Sequence, residues 1–79
     1  NPYTIIRYNL PKQAMVNINI YDMMGRLVKN LVNGKQRAGF RMVKWNARDA
    51  QGLNVPAGVY LYKIEAGDFI DVKKVILLK

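Results

Sequence analysis

Met15-Val16-Asn17-Ile18-Asn19-Ile20-Tyr21 decides the fold of this chain. Val16, Ile18 and Ile20 alternate with Asn17 and Asn19, and a period of two gives a strand one face in a core and the other in water. A helix would scatter these residues around its circumference. The neighbouring runs share the period. Tyr3 to Leu10 puts Ile6, Tyr8 and Leu10 on one face before Pro11 removes a ladder donor. Phe40 to Asn46 sets Arg41, Val43 and Trp45 against Phe40, Met42 and Lys44, and Trp45 offers the largest ring for a small core. Val59 to Ala66 alternates Tyr60, Tyr62 and Ile64 with Val59, Leu61 and Lys63, and Phe69 to Leu78 closes the chain's pattern.

Between these runs lie turn residues. Asp22-Met23-Met24-Gly25 has Asp first and Gly last, as a type I turn favours. Arg26 to Val32 is the ambiguous segment: Leu27, Val28, Leu31 and Val32 fit helical spacing as well as a bulged strand, and seven residues favour the strand. Asn33-Gly34 reads as a hairpin turn, since both residues tolerate positive φ. Ala47 to Gly58 is the longest loop, with two turns expected inside it, and Gly67-Asp68 joins the last two strands. Six or seven strands at intervals of about ten residues imply an all-β, antiparallel sandwich occupying residues 1–79 as a single domain.

Composition narrows the chemistry. The 79 residues are 51% hydrophobic and 23% charged, with 13 Lys and Arg against 5 Asp and Glu, a net charge of +8. The sequence has no His, Cys or Ser, a single Thr (Thr4) and a single Glu (Glu65). A nucleophile paired with an imidazole cannot be assembled, and a zinc site lacks its usual ligands. The expectation is therefore a module that is not an enzyme and carries no cofactor. Val75-Ile76-Leu77-Leu78 is the longest apolar run, far short of the ~20 residues of a spanning helix. No stretch resembles a signal peptide, so an export address would lie elsewhere.

Three constellations invite a site, and one of them, Lys73 to Lys79, reads on periodicity alone as a buried final strand flanked by lysines that suppress edge-to-edge pairing. Asn46, Asp49, Gln51 and Asn54 around Gly52 carry oxygens at near-alternate spacing, but one carboxylate beside Arg48 suits an Asx-type turn better than calcium. Arg7, Arg37, Arg41, Lys44 and Lys63 interleave with Tyr3, Tyr8, Phe40 and Tyr62, which could serve a polyanion. No basic run exceeds Lys73-Lys74 and the aromatics mostly take the inward phase, so nucleic acid is the weaker reading. An anionic glycan or lipopolysaccharide fits the same charge.

The order of pieces is familiar. Asn1-Pro2, Ile6 to Pro11, Val16 to Arg26, Ala38-Gly39, Trp45 to Gly52, Val55 to Tyr60 and the ending Lys73 to Lys79 together resemble the C-terminal sorting domain of type IX secretion. They are also similar to the immunoglobulin-like domain of the flagellar hook-capping protein, a closely related family. The resemblance implies a seven-stranded immunoglobulin-like sandwich that ends a larger exported protein. It implies an address read by the outer-membrane secretion machinery, carrying N-terminal cargo domains through the periplasm to the cell surface. The positions carried over are the Gly58-Val59-Tyr60 turn motif and a recognition strand of Lys74, Val75, Ile76, Leu77, Leu78 and Lys79. A terminal strand of this kind can be read by β-augmentation, and deleting residues 74–79 should leave the cargo in the periplasm. The alternative is a structural or binding module that packs on a catalytic domain, caps a flagellar hook or holds an acidic glycan.

Overall fold

The computed structural model describes residues 3–78, and these form two antiparallel sheets around one core. The strands are β1 (Thr4–Leu10), β2 (Ala14–Asp22), β3 (Leu27–Gln36), β4 (Gly39–Trp45), β5 (Gly58–Ala66) and β6 (Phe69–Leu77). One sheet pairs β1 with β4 and the other runs β3-β2-β5-β6. Connections β1–β2, β3–β4 and β4–β5 cross between sheets, whereas β2–β3 and β5–β6 are hairpins. Six strands and one isolated bridge, Arg48 to Asn54, stand where about seven strands were expected. No helix among the described residues is long and apolar enough to cross a membrane.

The core follows the alternation. Val16, Ile18 and Ile20 from β2, Ile6 and Leu10 from β1, Trp45 from β4, Tyr60 and Ile64 from β5 and Val75 and Leu77 from β6 are all buried. Burial of each large aliphatic side chain contributes about 1.5–3 kcal/mol. At its centre Trp45 is fully enclosed, and its ring meets Tyr60 edge-on at 5.3 Å between centroids. The outward face of β2 is polar: the Asn30 amide donates to Asn17 Oδ1 at 2.8 Å and Asn19 Oδ1 at 2.7 Å.

Arg26 to Val32 resolves as a bulged strand. The β2–β3 register shifts twice, between Ile18 and Asn19 and between Ile20 and Tyr21. Each extra residue turns the phase of β3, which lets Val28, Leu31 and Val32 all pack on the core despite their uneven spacing.

The Asn33-Gly34 turn is corrected. Both residues lie inside β3, opposite Asn17 and Val16, and Gly34 has no positive φ. Nine-residue β2 is matched along its length only if β3 runs on to Gln36, so the chain turns at Arg37-Ala38 instead. The inward placement of the aromatics is corrected in part. Tyr8 and Tyr62 pack on the core, but Tyr3 and Phe40 are exposed, because the outer face of the two-stranded sheet has no layer above it.

The Asp22-Gly25 turn forms as read. Gly25 N donates to Asp22 O at 3.0 Å, and Gly25 sits at φ 83°, which a side chain would strain. Asp22 Oδ1 accepts from Met24 N and Arg26 N, and Oδ2 from Arg26 Nε at 2.9 Å. Foremost the Arg26 backbone N–H, then its guanidinium, holds the Asp22 carboxyl below its usual range. A lowered folded-state pKa adds stability above the unfolded carboxylate range and loses it as pH falls through the folded value. Urea midpoints should therefore drop between about pH 7 and about pH 3, and Asp22→Asn should remove part of that drop. An unchanged pH dependence in the variant would refute the role given to this turn.

Candidate functional site

Gly58-Val59-Tyr60 and Val75 to Leu77, separated in sequence, are cross-strand partners. Gly58 pairs with Leu77, Val59 with Ile76, Tyr60 with Val75 and Leu61 with Lys74. Gly58 opens β5 at φ 148°, a conformation side chains rarely adopt. Tyr60 is buried, and its hydroxyl donates to Pro56 O at 2.6 Å. A tyrosine bonded to backbone a few residues upstream is the corner device of immunoglobulin-like sandwiches, anchoring a loop to a strand. Burial, and secondarily the charge of Asp22, pushes the Tyr60 phenol above its ordinary pKa.

The recognition strand divides by face. Val75 and Leu77 point into the core, whereas Ile76 is 60% and Leu78 75% exposed and Lys74 also faces outward. Lys79 lies outside the described residues, as do Asn1 and Pro2. Two residues missed in the sequence belong to the outward row: Ile70 and Val72 are exposed on the same phase as Lys74 and Ile76. Their signal was present in the alternation of β6, whose outward positions are apolar except for Lys74. Among the described residues β6 pairs with β5 alone, and no strand lies beside its other edge. Most exposed edges are guarded by charge or kinking; on β6 the exposed Lys73 and Lys74 supply that charge, Lys74 as the one charged member of the outward row.

The loop from Asn46 to Ala57 is built from its own polar groups. Asp49 Oδ1 accepts from Gln51 N and Leu53 N, Arg48 Nη1 donates to Gly52 O, and Trp45 Nε1 donates to Arg48 O at 2.9 Å. The two bonds accepted by Asp49 are those of an Asx-type turn. Ala50 N reaches Val28 O and ties the loop to β3.

The family model of the FlgD Ig-like domain matches residues 3–68. The chain belongs to the FlgD Ig-like domain family. The crystal structure of FlgD from P. aeruginosa superposes on this FlgD-like domain with a TM-score of 0.75 over 95% of the chain at 24% identity. PorZ, described as an essential bacterial surface component of the type IX secretion system of Porphyromonas gingivalis, gives 0.61 over 95% at 23% identity. At identities of 24% and 23% these superpositions show a shared fold and no more. The chain spans 61% of the first structure's length and 11% of the second's. Among curated proteins, none matches.

Proposed function

We propose that this FlgD-like domain is a non-catalytic sorting module that directs an exported, multidomain protein through the type IX secretion system to the cell surface. The observation that carries the reading is the ladder joining Gly58-Val59-Tyr60 to the open-edged β6. Within the described residues, Gly58 to Tyr60 and Val75 to Leu77 of the two stretches are joined in one hairpin, and no strand lies beside its outer edge. Main-chain bonds to that edge would give affinity, and Ile76 and Leu78 on the outward row would give specificity. The fold shared with a type IX secretion component supports the reading. The absence of His, Cys and Ser from the sequence supports a role without chemistry.

The second reading is a structural immunoglobulin-like module that packs against neighbouring domains, as favoured by the family match and the FlgD likeness. The experiment fuses residues 1–79 to the C-terminus of a reporter exported to the periplasm of a type IX-competent host. Surface display supports sorting. Periplasmic retention favours the structural module.

A further inference from the structure

The charge of this domain is distributed unevenly. Residues 1–48 hold nine Lys and Arg and only one acid, Asp22, which is engaged by Arg26, while residues 49–79 hold four of each sign. The whole +8 therefore belongs to the first 48 residues. β1 and β4, which make up the entire short sheet, contain no carboxylate.

The outer face of that sheet mixes this charge with hydrocarbon. Register sets Ile5 beside Lys44, Arg7 beside Met42 and Asn9 beside Phe40. Phe40 is 91% exposed, Met42 56% and Tyr3 54%, and Lys44 Nζ lies 4.8 Å from the Tyr3 ring centroid. Arg7, Asn9, Phe40 and Met42 border an open depression of about 430 Å³.

We propose that this face docks on the anionic headgroup layer of a lipid bilayer. Arg7 and Lys44 meet the phosphates, while Phe40 and Met42 enter the boundary between headgroups and acyl chains. The mixture of side chains favours lipid over other polyanions. A nucleic acid or an acidic polysaccharide neutralises the cations but has no hydrocarbon to receive Ile5 and Met42. A second copy of the same face would set like charges together. This inference stands apart from the sorting reading, since it uses the sheet opposite β6.

The domain's smallest dimension is 21 Å. Physiological salt screens charge over about 8 Å, so lysines on the far sheet add little at the short sheet's surface. That separates a docking face from mere net charge. The test is co-sedimentation of the 79-residue chain with phosphatidylcholine vesicles, with and without phosphatidylglycerol. Binding is expected only to the anionic vesicles. Phe40→Ser should weaken it about tenfold, and Arg7→Gln with Lys44→Gln about 30-fold. Lys35→Gln with Lys63→Gln removes the same charge from the outward face of the far sheet and should cost less than about threefold. Phe40→Trp should strengthen binding, which provides a readout even if another variant folds poorly. The proposal is overturned by no binding, by equal losses in the two double variants, by an unchanged Phe40→Ser, or by tighter binding to an oligonucleotide or heparin than to vesicles.

Discussion

Trp45→Ala is expected to lower the thermal midpoint by about 15–30 °C, the shift that a loss of about 3–5 kcal/mol produces in a domain of this size. The ring is fully buried where both sheets meet, and its loss leaves Tyr60 without its edge-on partner. The substitution also frees Arg48 O from the Trp45 Nε1 bond that holds the start of the 46–57 loop. A 79-residue domain has a stability of only about 4–12 kcal/mol, so a loss of this size removes a large fraction of it. Far-UV circular dichroism melting measures this without relying on the lost fluorophore. Trp45→Phe, which keeps a ring and loses the N–H, should fall between the two. A midpoint within a few degrees of the parent for Trp45→Ala would show that the core is organised elsewhere.

Removal of residues 74–79 is expected to be at least as severe. Val75 and Leu77 leave the core, and Gly58, Val59, Tyr60 and Leu61 lose their β6 partners. The two buried side chains alone account for about 3–6 kcal/mol, before any ladder bond is counted. The truncated chain should show no cooperative transition in urea and no dispersed amide proton spectrum. If it melts like the parent, β6 is not integral to the sandwich. This result bears on function, because loss of secretion after such a deletion would follow from unfolding as readily as from loss of a signal. A variant that spares the fold is needed.

Where a strand's period is regular, the sequence was enough. β2 is the clearest instance: three apolar residues and two asparagines on opposite phases state which face is core, and the structure follows them residue by residue. β3 was less legible because two bulges turn its phase mid-strand, so that no single period describes it. Asn33-Gly34 misled for a related reason. A dipeptide able to turn does so only if the residues after it have no partners further along, and Met15 and Ala14 supply such partners to Lys35 and Gln36. The candidate site was half legible. Alternation over 74–78 implies one buried and one exposed set, but the pairing of β6 with the Gly58-Tyr60 segment, and the freedom of its outer edge, are properties of sheet order. Periodicity carries no record of which strands are neighbours. The exposure of Phe40 and Tyr3 likewise depends on the short sheet having nothing packed on its outer face.

The most direct test of the central claim, that the open β6 edge is read as an address, uses Ile76→Glu with Leu78→Glu in the reporter fusion. Both side chains are exposed and point away from the core, so the cost to folding should stay within about 1 kcal/mol at each position. The measurement is the fraction of reporter at the cell surface, set beside the melting curve of the isolated domain. The account predicts a domain that still folds while the reporter accumulates in the periplasm. Undiminished surface display by a folded double variant would contradict it.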